Sequence, residues 1–189
     1  MEHIEVLISA VENLTKNDFV TAEKIMQENY PFEEQKIFHR SYSDVQKMEI
    51  FCRDGFIDLY SGKKLVNPAI LRVLSYYFPE SFPYHPHWKM TECHVAYWEF
   101  LPTIDHIYPI ARGGADSKDN WATTSMLHNS IKSNWTLEDL SWQIHKAGEI
   151  KEWDGLSTML IKLVEKDNQL KKDKYINHWY KITKSFFDK

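Results

Sequence analysis

The sequence predicts an α+β protein in which two short antiparallel strands and a helix are enclosed by further helices, and three observations carry that prediction. Apolar residues recur at helical spacing towards both ends of the chain, as with Ile4, Leu7, Ile8, Val11 and Leu14. In the middle, "PTIDH" and "WATTSM" read as strands on either side of a loop that bears Gly113 and Gly114. Directly after the second strand, "LHNSIKSNW" returns to helical spacing. A chain of 189 residues suits one domain with its own core, divided here into an N-terminal helical segment (1–40), a core (41–147) and C-terminal helices (148–189).

The elements follow in order. Residues 2–14 form a first helix, and "TAEKIMQENYP" a second, capped by Thr21 and stopped by Pro31; their apolar stripe is expected to pack into the core. Ser43 and Gln46 make a capping box ahead of "DVQKMEIFCR", which stops at "RDG". "FIDLYSGKKLV" alternates about a Ser-Gly turn and reads as a hairpin. Asn67 caps and Pro68 opens the helix "NPAILRVLSYYF", and the proline-rich "PESFPYHPHWKM" is irregular. "CHVAYWEFL" fits a helix or a buried strand. After the central strands, "TLEDLSWQIHKAG" reads as a helix capped by Thr136 with Asp139 three residues on, and "GLSTMLIKLVEKDNQL" and "DKYINHWYKITKSF" as two amphipathic helices.

Composition narrows the function. Charged residues make up 26% and the formal charge is -4, which argues against a protein that coats nucleic acid by bulk charge, so any polyanion site must be local. Two cysteines, Cys52 and Cys93, are too few for a disulfide scaffold and suit a reducing cytosol. No apolar run reaches the roughly 18–20 residues that span a bilayer, and the acidic start "MEHIEV" does not read as a signal peptide. The expectation is a cytoplasmic protein with no membrane association.

The residues that carry chemistry gather in the central unit. Asp105 and His106 are neighbours on the first strand, Asn120 ends the loop, and Asn129 and Lys132 share one face of the helix. A carboxylate and an amide oxygen, one from a strand and one from a facing helix, can hold a hard divalent cation such as Mg²⁺ or Mn²⁺ and leave room for water and phosphate. Imidazole titrates near neutrality and can deprotonate the attacking water. Together these are the parts of one-metal phosphodiester hydrolysis. Each residue alone would mean little: an Asp-His pair is commonly a surface accident, and an Asn before a strand is commonly a turn residue.

The succession "DHIYPIARGG", "DNW" and "HNSIKSN" resembles the HNH endonucleases, the family of the ββα-metal finger. By motif position the resemblance implies Asp105 and Asn129 as metal ligands, His106 as general base and Asn120 as the residue that fixes the loop and so the base. Lys132 then matches a basic position that faces substrate phosphates. Arg112 either contacts phosphate or pairs with Asp116 or Asp119. His128 points about 100° away from Asn129 on a helix, so only one of the two faces the site. The resemblance covers 103–134 and extends upstream to "RDGFIDLYSG", where the sequence departs from it. Many members carry two CxxC pairs around a structural zinc, and the four positions here are Asp58, Ser61, Ser125 and His128. No structural zinc is expected, with packing by Phe56, Ile57, Leu59 and the tryptophans in its place. A zinc built from Cys52, Cys93, His94, His85 or His87 is the lesser alternative, since isolated cysteines are commonly buried apolar residues.

The function that follows is a metal-dependent DNA endonuclease, of the restriction or defence kind, in which a double-strand cut by a one-site enzyme would favour a homodimer. Two further readings remain: a nucleic-acid-binding protein that keeps the finger without cutting, and an antibacterial toxin nuclease with an immunity partner. Tyr84, His85, His87, Trp88 and Lys89 combine aromatic and basic groups in one loop and offer an additional nucleic-acid contact.

Overall fold

The computed structural model describes residues 2–32 and 42–188. The chain divides into two compact units, Met1–Ile37 and Phe38–Lys189. The sequence-based boundary between residues 40 and 41 lies outside the described residues.

The first unit holds helices α1 (His3–Thr15) and α2 (Phe19–Asn29). Asp18, not Thr21, caps α2: its carboxylate accepts the backbone N–H of Thr21 at 3.0 Å. Within this unit the apolar stripe of α1 is not buried. Val6, Ala10 and Ala22 are the buried residues of the pair, whereas Ile4, Leu7, Ile8, Val11 and Leu14 stand exposed.

The second unit is α+β, with a single two-stranded antiparallel sheet among its described residues. Helix α3 (Asp44–Arg53) opens with the Ser43–Gln46 capping box, and α4 (Pro68–Tyr77) starts at proline under an Asn67 cap. The ambiguous "CHVAYWEFL" contains a short helix, α5 (Ala96–Phe100). Strands β1 (Pro102–His106) and β2 (Trp121–Ser125) flank the glycine loop, and α6 (Met126–Lys132) follows at once. Helices α7 (Ser157–Lys166) and α8 (Lys174–Phe187) close the chain, the latter capped by Asp173, which accepts from the N–H groups of Tyr175 and Ile176. None of the described helices is long and apolar enough to cross a membrane.

Two expected elements differ. Residues 56–65 form a turn with a single antiparallel bridge, Ile57 to Lys64, in place of a two-stranded hairpin. The capping bonds between Thr136 and Asp139 exist, but the helix they announce stops after one turn. Ser141 adopts a left-handed conformation, and the chain then runs irregularly to residue 149. Tertiary partners outweigh helix propensity there. The N–H of His145 donates to the Leu59 carbonyl at 2.8 Å and that of Gly148 to Asp54 at 3.0 Å. This closeness demands glycine, because a Cβ on Gly55, whose φ is +62°, would lie 2.4 Å from the Gly148 carbonyl carbon.

The main core joins α3, α4, α7 and α8 through Phe51, Phe56, Val73, Leu160, Ile176 and Trp179. A second cluster around Tyr97 anchors α5 and the proline-rich loop. A third, of Leu59, Tyr60 and Ala122 with Trp142 against it, sits on one face of the sheet. The sheet is thus held from both sides, which gives its polar residues fixed surroundings.

Candidate functional site

The register pairs Asp105 with Ala122 and His106 with Trp121, and paired residues share a face. Thr103 and Asp105 therefore leave towards one side of the sheet and Ile104 and His106 towards the other.

On the first face, α6 runs back alongside β1. The N–H of Met126 donates to Leu101, the Asn129 side-chain amide donates to Thr103 Oγ1 at 3.0 Å and the Ile104 carbonyl at 3.3 Å, and Lys132 Nζ donates to the His106 carbonyl at 2.7 Å. Asp105 is 3% exposed. Its Oδ2 accepts from Tyr60 OH at 2.7 Å and lies 2.8 Å from Lys132 Nζ. Lys132 is the departure from the sequence reading: instead of facing phosphate it is fully buried, an internal counter-ion to the carboxylate. The extra length of its four-carbon stem carries the ammonium under β1.

On the second face, His106 is 1% exposed, and its Nε2 has three polar neighbours. Asp116 Oδ1 lies at 2.9 Å, Trp121 Nε1 at 3.1 Å and Tyr42 OH at 3.2 Å. A protonated Nε2 donates to Asp116, and a bare Nε2 accepts from the indole or the phenol. Both protonation states of this nitrogen are served, as acid–base work requires. Among the described residues Nδ1 is buried with no hydrogen-bond partner, so the ring makes its polar contacts through Nε2. The hydrogen bond from His106 holds the Asp116 carboxyl below its ordinary value, with Trp121 and Tyr42 adding to the effect.

Asn120 fixes the loop between the strands. Its side-chain oxygen accepts from the Tyr108 N–H at 2.9 Å, and its amide donates to the carbonyls of Tyr108 and Ala115 at 2.9 and 2.8 Å. Ala115 precedes Asp116, so the clamp also places the carboxylate that meets His106. Gly114 is required for closeness, since a Cβ there would fall 2.1 Å from the Tyr108 carbonyl oxygen. Arg112 pairs with neither Asp116 nor Asp119. Its Nη1 donates to Asp139 at 2.6 Å and its guanidinium lies 5.4 Å from the Trp135 ring centre.

The positions set against the CxxC cysteines by the resemblance hold other contacts. Asp58, 1% exposed, accepts from the Tyr60 N–H and Thr124 Oγ1 through Oδ1. Its Oδ2 accepts from the Ser125 N–H at 3.1 Å and meets His128 Nδ1 at 2.7 Å. A carboxylate hub thus ties the 58–60 turn to β2 and α6, in addition to the packing of Phe56 and Leu59 that the sequence suggested. Burial pushes the Asp58 pKa up, but the bonds from Tyr60, His128 and Ser125 outweigh it and bring the group below its ordinary value. His128 is spent on this hub and on an edge-on contact with Trp142, so Asn129 is the member of the pair that faces β1.

The remaining candidates divide between packing and ion pairs. Tyr84 and Trp88 turn inward against Tyr97, and His85 and Lys89 pair with Glu92. Cys52 and Cys93 belong to different apolar clusters, and burial pushes the Cys52 thiol up to about 12. Among the described residues no three His, Cys, Asp or Glu side chains gather to hold a metal. A cation here would therefore rest on Asp105 with neutral oxygens such as the Asn129 amide. The residues do fit one in kind: the donors are hard oxygens, and an ammonium already stands on the carboxylate.

Sequence reasoning missed Asp116, Tyr42 and Tyr60. Asp116 had a signal, a carboxylate in the loop that Asn120 closes, but was read only as a partner for Arg112. The tyrosines carried none, because their hydroxyls reach the site from 64 and 45 residues away in the chain. Compared with known protein families, curated proteins and solved structures, the chain matches none.

Proposed function

We propose that this chain is a metal-dependent endonuclease of the HNH type that hydrolyses phosphodiester bonds in DNA. The observation that carries the proposal is the surroundings of His106 Nε2, with an acceptor for its protonated state and donors for its bare state. In the reaction His106 takes the proton of the attacking water at Nε2, where the water replaces Tyr42 or Trp121 as the donor, and the protonated Nε2 then donates to Asp116. Asn120 keeps the loop in the shape that presents Asp116. Asp105 and Asn129 would hold the divalent cation, which when bound supplies positive charge for the phosphate and leaving oxygen.

The test is nicking of supercoiled plasmid by the wild-type chain with Mg²⁺ or Mn²⁺ against EDTA, beside His106→Ala. Metal-dependent nicking lost in the variant supports the proposal, and cutting by His106→Ala at the wild-type rate refutes it. A second reading, nucleic-acid binding without cleavage, draws on the near-complete burial of Asp105 and His106, 3% and 1% exposed. Retention of labelled DNA with no nicking in either metal would select it. If the chain cuts, sequencing the product ends separates a recurrent site, expected of a restriction enzyme, from nonspecific cleavage.

A further inference from the structure

We infer that the Lys132 ammonium is the resident cation of the Asp105 carboxylate, and that a divalent metal ion binds this carboxylate only by displacing it. The inference rests on the nuclease reading for the identity of the ion.

Three observations lead to it. Lys132 is completely buried, a position a lysine keeps as a cation only where acceptors replace its hydration. Those acceptors are present: Asp105 Oδ2 at 2.8 Å, the His106 carbonyl at 2.7 Å, and the Tyr60 ring with its centre 5.6 Å from Nζ. Two of them, the Asp105 carboxylate and the His106 carbonyl, come from the strand positions of the proposed ligand and base, so the ammonium stands directly on the proposed ligand. The Tyr60 hydroxyl holds the same Oδ2 at 2.7 Å and keeps the carboxylate in place whichever cation stands on it.

An ammonium and a divalent ion on one buried carboxylate repel strongly where water does not screen them. They exclude one another in proportion to their hold on Asp105. The lysine can yield because its charge rides on a flexible stem. Lys132 thus sets the affinity of the site and keeps Asp105 compensated when no metal is bound.

The test measures Mn²⁺ binding alone, by titration calorimetry and by the electron spin resonance signal of free Mn²⁺, on wild type, Lys132→Met and the double variant Asp105→Asn with Lys132→Met. Lys132→Met is expected to bind Mn²⁺ at least about tenfold more tightly than wild type, and the double variant to lose that gain. Equal or weaker binding by Lys132→Met, or a gain that survives in the double variant, overturns the inference. Should Lys132→Met be unfolded without metal, folding on addition of Mn²⁺ by circular dichroism supports the inference, and failure to fold at saturating Mn²⁺ overturns it. Plasmid nicking by wild type is scored separately. A chain that cuts nothing yet shows the tenfold gain keeps Lys132 as resident cation and loses the nuclease reading, and a chain that cuts without any gain does the reverse.

Discussion

Replacing His106 with alanine deletes the Nε2 that Asp116, Trp121 and Tyr42 surround, while the strand hydrogen bonds remain. The expected outcome is loss of plasmid cleavage with far-UV circular dichroism unchanged. Asp58 makes the opposite prediction at the residue scale, because its role is to hold structure. Asp58→Ala strips the Tyr60, Thr124, Ser125 and His128 donors of their shared acceptor, and should cost about 2–4 kcal/mol in urea unfolding. The group also links stability to pH. Its folded pKa is depressed, so its contribution is complete above the ordinary carboxylate value of roughly 4 and is lost as pH falls through the lower folded value. Asp58→Asn should flatten that acid limb, measured as unfolding free energy against pH. A limb of unchanged slope would assign the acid sensitivity to other carboxylates.

At the scale of elements, the loop between β1 and β2 is a device for placing one carboxylate. Asn120 spends its amide on Tyr108 and Ala115, and Gly114 passes against the Tyr108 carbonyl where a side chain cannot go. Asn120→Ala should lower stability by about 1–3 kcal/mol and cut the cleavage rate at least about tenfold, with no change in Mn²⁺ affinity since Asp105 and Asn129 are untouched. Gly114→Ala should act in the same direction through displacement of the loop. A parallel loss of Mn²⁺ binding in either variant would mean that the two faces of the sheet are not independent. The first turn after α6 shows the limit of local signals: Thr136 and Asp139 form their mutual bonds, yet the chain leaves helical geometry to place His145 and Gly148 against Leu59 and Asp54.

Across the whole molecule, the candidate site depends on a core built from segments distant in the chain. Phe51 of α3 and Ile176 and Trp179 of α8 belong to one buried cluster, and Asp54, the C-cap of α3, accepts the Thr123 N–H of β2 on its carboxylate at 2.9 Å. Removing residues 174–189 should therefore abolish cooperative unfolding and cleavage together, although the segment contains none of the proposed catalytic residues. Phe51→Ala should cost about 3–5 kcal/mol of stability while a correctly folded fraction retains its specific activity, checked by active-site titration against circular dichroism. A truncated chain that still cuts would separate the site from this core.

The sequence by itself determined the helices with explicit caps, at Ser43 and Asn67, because these signals act within one turn of chain. It also determined the two strands and the glycine loop between them, and so the elements that carry Asp105, His106, Asn120 and Asn129, since period-two alternation and tight spacing leave few arrangements open. Only the tertiary structure decided that Lys132 is an internal cation, that Asp116 and Tyr42 attend His106, that Asp58 is a hydrogen-bonded hub and that residues 142–149 are not helical. Each of these turns on a partner brought from elsewhere in the chain or on which way a long side chain bends. A buried charge settles by what surrounds it in three dimensions, and spacing along a sequence does not contain that information.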